Sequence, residues 1–209
     1  MPRPLVKVCG MTRMKDVERC VELGVDLLGF IFHPKSPRNV DPDFVASVKT
    51  GKVSKVGVFV NQPHEEVLEI MERCGLHAAQ LHGSPDIHYC WRIGPDRVIR
   101  TFWPDTYSSG AALQADLARF EEACGHFLLD AGTKGQGGTG QTIDFGKLQD
   151  IEIHTPWFLA GGIGPHNIDE VLALNPPGID INSGVEKSPG IKDADKLRAV
   201  FDRIDAATD

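Results

Sequence analysis

Apolar residues recur along this chain in two alternating rhythms, a short continuous run and then a stripe spaced by threes and fours. The first run, Leu5-Val6-Lys7-Val8-Cys9, puts Leu5, Lys7 and Cys9 on one face of a strand and Val6 and Val8 on the other. Gly10 ends it, and Thr12 is placed to cap a helix. Val17, Cys20 and Val21, closed by Gly24, form the first helical stripe. Leu27 to Phe32 is continuously apolar, as expected of a strand covered on both faces. Asp41-Pro42 reads as a cap followed by a proline in the first turn, with Phe44, Val45 and Val48 on the apolar side. Val56 to Val60 is a third strand, Val67, Ile70, Met71 and Cys74 the next stripe, and Ala78 to His82 a fourth strand.

The second half keeps the alternation. Ser84-Pro85 opens a helix, Val98 to Trp103 reads as strand five, and Ala112 to Cys124 as a helix with Leu113, Leu117 and Phe120 inward. Phe127 to Asp130 is strand six. The stretch 131–141 is too rich in glycine for helix or strand and long for a connection, so it reads as a mobile lid or hinge; a short helix fits between Phe145 and Asp150. Trp157 to Ala160 is strand seven, Pro165 opens a helix, Gly178 to Ile181 is strand eight, and Leu197, Val200, Phe201 and Ile204 form the last stripe. Eight strands alternating with helices over 209 residues predict an α/β fold, a single-domain (β/α)8 TIM barrel spanning 1–209. An open doubly wound sheet is the alternative. The turn at Gly10 lacks the Gly-x-Gly-x-x-Gly spacing of a dinucleotide site, which argues against NAD or FAD.

Charge and composition narrow the partners. A formal net charge of −7 argues against nucleic acid as a partner. The apolar runs are short, which argues against a membrane span, and no charged-then-apolar leader opens the sequence. Five cysteines without a Cys-x-x-Cys pair suggest neither a disulfide framework nor a zinc knuckle, and fit a reducing, cytoplasmic setting. No helix carries a long second apolar face, which favours a monomer.

In a barrel the C-terminal strand ends converge on one mouth, here Cys9, Phe32, Val60, His82, Trp103, Asp130, Ala160 and Asn182. Cys9 and Asp130 are the candidate acid-base groups. Lys7 on the same face would favour the thiolate of Cys9, although a small buried apolar role is the commoner fate of a cysteine. Gly161 and Gly162 after strand seven, and Asn182, Ser183 and Gly184 after strand eight, form turns that bring backbone N–H groups close to a ligand, so a sugar phosphate is the favoured small-molecule substrate. His82 and Gln80 share a face and either line the site or tie down the next turn. Asp180 is expected to pair with Lys7 inside the barrel. His33 and the histidines away from strand ends read as surface residues, and cysteines 20, 74, 90 and 124 as filler. A metal-dependent epimerase would need His and Asp ligands from several strands, and of the histidines only His82 ends one, so no metal or cofactor is expected. A binding module without catalysis would have no use for Cys9 and Asp130 together.

These segments resemble the phosphoribosylanthranilate isomerase family of tryptophan biosynthesis over nearly the whole chain. The resemblance is carried by Lys7-Val8-Cys9-Gly10-Met11-Thr12, Gly29 to Arg38, Gly57 to Asn61, Gln80 to Gly83, Leu128-Leu129-Asp130 with Gly137 to Gly140, Ala160 to Ile163, and Asp180 to Glu186 with Pro189-Gly190 and Lys192-Asp193. Met11 stands where the family usually has isoleucine and Phe145 where it usually has tryptophan. The resemblance implies an Amadori rearrangement of N-(5-phosphoribosyl)anthranilate to the 1-amino-1-deoxyribulose phosphate without a cofactor. It implies Cys9 as general base, Asp130 as general acid, and Arg38 as a two-point fork for the anthranilate carboxylate. For these jobs Cys9 is expected to titrate close to neutrality, depressed by Lys7, and Asp130 to titrate above the usual carboxylate range.

Overall fold

A computed structural model describes residues 2–130 and 151–208. Eight parallel strands close into a barrel in chain order: β1 (Leu5–Val8), β2 (Leu27–Ile31), β3 (Ser54–Phe59), β4 (Ala78–Leu81), β5 (Val98–Phe102), β6 (His126–Asp130), β7 (Trp157–Ala160) and β8 (Gly178–Ile181). The seam is β1 on β8, with Lys7 opposite Asp180 in register. Around the barrel run α1 (Met14–Glu22), α2 (Pro42–Ser47), α3 (His64–Cys74), α4 (Ile87–Ile93), α5 (Gly110–Phe120), α6 (Ile168–Ala173) and α7 (Ala194–Thr208). The expected lid at 131–141 and short helix at 145–150 lie outside the described residues.

Strand periodicity divides the apolar residues between two cores. Val6, Val8, Leu28, Phe30, Phe59, Phe102 and Phe127 pack outward against the apolar stripes of the helices. Val56, Ile99, Leu128, Phe158 and Ala160 point inward and form a separate cluster that fills the barrel. These side chains fill the barrel beneath its C-terminal mouth.

Several local expectations change. Thr12 does not cap α1; its hydroxyl donates to the Gly190 carbonyl, and Arg13 occupies the cap position with its guanidinium on Asp16 and no side-chain capping bond. Asp41 does cap α2, its carboxylate accepting the Asp43 N–H at 2.7 Å. Helix α4 starts after Asp86 rather than at Ser84-Pro85, and α6 after Asn167 rather than at Pro165. Phe32 leaves the mouth: it faces the helices and stacks on Phe59, with ring centroids 5.3 Å apart. A hairpin absent from the pattern reading, β9 (Glu186–Ser188) with β10 (Ile191–Lys192), follows β8. Among the described residues no helix is long and apolar enough to cross a membrane.

Candidate active site

At the barrel mouth lies a cavity of ≈ 390 Å3. Cys9, Arg38, His82, Gly161, Gly162, Asp180, Asn182 and Ser183 line it together with Asp130, so residues more than 170 positions apart in sequence meet in one space. Gly184 does not line it. Its carbonyl and Cα back onto Gly164, and a Cβ at Gly184 would lie 2.1 Å from the Ile163 carbonyl oxygen, so it lets the turns after β7 and β8 pack backbone to backbone. Gly161 and Gly162 have φ of 111° and 57°, a left-handed turn that glycine enters without a Cβ clash. His33, half-buried, and Lys35, exposed, also line the cavity, so His33 is not the surface residue expected from its place beside Pro34.

The wall at the β8–β1 seam is charged and internally paired. Lys7, fully buried, donates from Nζ to Asp180 Oδ2 at 2.8 Å. Burial works against this ammonium, but Asp180 and Cys9 more than offset it and hold Lys7 charged beyond its ordinary range. Burial pushes the Asp180 carboxyl up against the pull of Lys7, with Asp130 adding in the same direction. Cys9 sits one inward position above Lys7, at a place where a Cβ on Gly29 would come within 2.7 Å of its sulfur. The expected depression of this thiol by Lys7 is overturned. Burial raises Cys9 above its ordinary value; Lys7 and Lys192 pull it down, Asp180 pushes it up, and burial prevails. In the resting protein Cys9 therefore keeps its proton at neutral pH.

Arg38, which as a loop arginine carried no signal of burial, is 7% exposed and tied to Glu186. Its Nη2 donates to Glu186 Oε2 at 2.7 Å and its Nε to Oε1 at 3.0 Å. Lys192 Nζ donates to the same carboxylate at 2.9 Å and to Asn182 Oδ1 at 2.9 Å. Pattern reading missed both Glu186 and Lys192. The signal available was a charge on either side of the Pro189-Gly190 turn, which places them on facing strands of a short hairpin.

The wall on β4 and β5 is neutral. His82 meets Trp103 edge to face at 5.2 Å. Among the described residues neither ring nitrogen of His82 has a hydrogen-bond partner, and the same holds for Gln80 Oε1. Burial, with Lys7 acting in the same direction, lowers His82 to about 4, so the ring is neutral at physiological pH. Among the described residues no group of three or more His, Cys, Asp or Glu side chains is arranged to hold a metal ion. The mouth thus offers a thiol, a carboxyl, a cationic fork and neutral hydrogen-bonding groups around a space fit for a small anion.

Comparison with known proteins identifies a family for the chain. The family model described as N-(5'phosphoribosyl)anthranilate (PRA) isomerase matches residues 6–203. The N-(5'-phosphoribosyl)anthranilate isomerase of Maridesulfovibrio salexigens is 49% identical over 201 residues, covering 96% of this chain and 98% of the relative. The crystal structure of phosphoribosyl anthranilate isomerase from Thermus thermophilus superimposes with a TM-score of 0.83 at 35% identity, covering 96% of this chain and 98% of that one. A phosphoribosyl anthranilate isomerase in complex with reduced 1-(o-carboxyphenylamino)-1-deoxyribulose 5-phosphate gives a TM-score of 0.80 at 29% identity, covering 97% of this chain and 99% of that one. With a family match spanning the barrel from β1 to α7 and near-full-length relatives, the chain belongs to the N-(5'-phosphoribosyl)anthranilate isomerase family.

Proposed function

We infer that the mouth cavity isomerises N-(5-phosphoribosyl)anthranilate to 1-(2-carboxyphenylamino)-1-deoxyribulose 5-phosphate, the family's step in tryptophan biosynthesis, with Asp130 as general acid and Cys9 as general base. The observation that carries this reading is that both groups, from β6 and β1, line the one cavity at the strand ends. Asp130 gives its proton to the furanose ring oxygen as the C1–O bond breaks and the anilino nitrogen's lone pair forms the C=N bond of a Schiff base. Cys9, as thiolate, removes the proton from C2; that electron pair forms the C1=C2 bond as the C=N π pair returns to the anilino nitrogen, and the enaminol gives up its 2-hydroxyl proton and takes one at C1 to become the ketone. Because burial holds the Cys9 proton on in the resting protein, that proton has to leave first, and Lys7 and Lys192 are the groups that favour its loss.

The turns at Gly161-Gly162 and Asn182-Ser183 take the phosphate, with backbone N–H groups free of Cβ hindrance at the glycines. Arg38 takes the anthranilate carboxylate. Its Nε–Nη2 edge is committed to Glu186, and no described residue bonds Nη1, which leaves the end-on edge, Nη1 with Nη2, for a ligand. His82 and Gln80 serve as neutral hydrogen-bonding partners for the sugar, and Asp180 holds Lys7 beneath Cys9. The same reading has the chain working in the cytoplasm as a monomer. Leu5, Met14, Trp91 and Leu174, the large exposed apolar side chains among the described residues, sit apart in the sequence rather than on one helix face.

The test is loss of anthranilate-derived fluorescence when substrate generated in situ meets the parent protein, Cys9→Ala and Asp130→Asn. Turnover by the parent, with both folded variants slower by at least ~100-fold in kcat, is expected. Variants that turn over like the parent would remove the two residues from these roles.

A further inference from the structure

Arg38 has a structural problem that its own residue type does not solve. A guanidinium already forked onto one carboxylate forms a neutral pair, and a second carboxylate brought to its other edge would meet the negative charge of the first. Arg38 and Glu186 are each 7% exposed, so water screens this repulsion little. Lys192, 4% exposed, changes the balance: its ammonium lies 2.9 Å from Glu186 Oε1, on the carboxylate that Arg38 grips. With every ion pair formed, the buried cluster of Arg38, Glu186 and Lys192 sums to a single positive charge; burial lowers Lys192 from its ordinary range, and its pairing with Glu186 opposes that shift.

The cluster is also fixed in place from outside. Glu186 Oε1 accepts the Gly190 N–H at 3.1 Å, and Lys196 Nζ donates to the Glu186 carbonyl at 2.9 Å. The Lys192 N–H donates to Asp16 Oδ2 at 3.1 Å, and Thr12 donates to the Gly190 carbonyl, so the hairpin is clipped to the start of α1. Through Asn182, which Lys192 holds by both its side-chain and main-chain oxygens, the same ammonium reaches the end of β8. Burial acts upward on the Glu186 carboxyl, and Arg38 and Lys192 more than reverse it, so this acid stays ionised.

We propose that Glu186 and Lys192 are positioning residues for carboxylate recognition: Glu186 locks the guanidinium of Arg38 with its end-on edge available, and Lys192 cancels the charge of Glu186 so that Arg38 still attracts an aryl carboxylate. The proposal rests on the assignment of Arg38 to the substrate carboxylate made above. It makes the hairpin β9–β10, which holds Glu186 and Lys192, a specificity element for N-aryl aminoaldose phosphates that bear an acidic group on the ring.

The experiment measures kcat and KM with N-(5-phosphoribosyl)anthranilate and with its carboxylate-free counterpart, N-(5-phosphoribosyl)aniline, following product by chromatography. Lys192→Met is expected to raise KM for the carboxylated substrate about 10- to 100-fold and to leave KM for the aniline compound within about 3-fold. Any effect relayed through Cys9, on whose charge Lys192 acts, falls on kcat for both substrates alike. The double variant Lys192→Met/Glu186→Gln restores the net single charge without the Glu186 lock and is expected to recover part of the lost affinity, and Lys192→Arg to keep the parent KM. A KM rise shared by both substrates, or a double variant no better than Lys192→Met, would overturn the proposal. Arg38→Met separates the two levels: no change in its KM for the carboxylated substrate would overturn the assignment of Arg38 itself. Where Lys192→Met yields no folded protein, Glu186→Gln alone decides, because it adds a net positive charge. It also removes the lock on the guanidinium, so the expected result is a KM change confined to the carboxylated substrate, and no change or an equal change for both substrates would count against the idea.

Discussion

The two walls of the mouth cavity solve opposite problems. On the β8–β1 side, Lys7 with Asp180 and Arg38 with Glu186 and Lys192 are charged, buried and bonded to one another. On the β4–β5 side, Gln80 and His82 are neutral, and among the described residues Gln80 Oε1 and both His82 nitrogens have no hydrogen-bond partner. A charge taken from water costs so much that it has to arrive with its partner, whereas a neutral group can wait for one at a cost of a few kcal/mol or less. The charges of that wall are therefore paired before substrate binds, although among the described residues Asp180 Oδ1 is buried without a hydrogen-bond partner. The neutral wall carries open hydrogen-bonding capacity that a hydroxyl-rich ligand can fill.

The sharpest way to break that contrast is to remove one partner from the charged wall. Lys7→Met leaves the Asp180 carboxyl buried without its cation and is expected to cost about 3–5 kcal/mol in urea unfolding. A loss below about 1 kcal/mol would mean that the pair is not acting as a buried ion pair. A steric change on the same wall comes next. In Gly29→Ala the new methyl would sit 2.7 Å from the Cys9 sulfur and 3.0 Å from its Cα, so β1 or the thiol has to shift. About 1–3 kcal/mol of stability should go, with kcat falling further than KM changes, because the displaced group is the proposed base. Unaltered kcat in a folded Gly29→Ala protein would break the link between that close approach and the chemistry.

How much of this was legible in the chain depends on how far apart the contacting residues lie. The barrel was legible because each short strand states its own apolar run and each helix its own stripe. Lys7 and Cys9 share a face by local alternation alone. Phe32 was misplaced because the run from Leu27 to Phe32 has no polar residue to mark which side faces inward. The charge state of Cys9 was misjudged for a different reason. Its neighbour Lys7 is visible two residues away, but the burial that dominates comes from closing β1 onto β8, where Lys7 meets Asp180 across 173 positions. Arg38 meets Glu186 across 148 positions, and no local pattern announces such a contact. The family resemblance supplied the proposed role of Arg38; the geometry supplied its two unforeseen supports.

On the neutral wall, His82 gives a prediction in pH. In the unfolded chain its imidazole titrates near ~6.5, and in the fold at about 4. Between those values the unfolded chain binds the additional proton, so this group's contribution is unchanged above the window and is lost as the pH falls through it. The stability of the parent relative to His82→Asn should therefore fall by roughly 1.4 kcal/mol for each pH unit of acidification inside the window. Parallel stability curves for the two proteins would show that His82 is not held neutral.

Gln80→Met offers the smallest expected change in stability, and it is the closest test of the contrast. The substitution keeps length and shape but deletes the amide whose Oε1 is buried without a partner. If the neutral wall is unfinished until substrate arrives, the protein should be unchanged or slightly more stable, within about 1 kcal/mol, because no existing hydrogen bond is broken and a desolvated acceptor is removed. Activity should move the other way, with kcat/KM falling about 10-fold as the ligand loses a hydrogen-bonding group. A stability loss approaching that of Lys7→Met would mean that Gln80 is already bonded in the folded protein. The two walls would then differ in charge but not in readiness, and the hydrogen bonds to the sugar would have to come from elsewhere in the mouth.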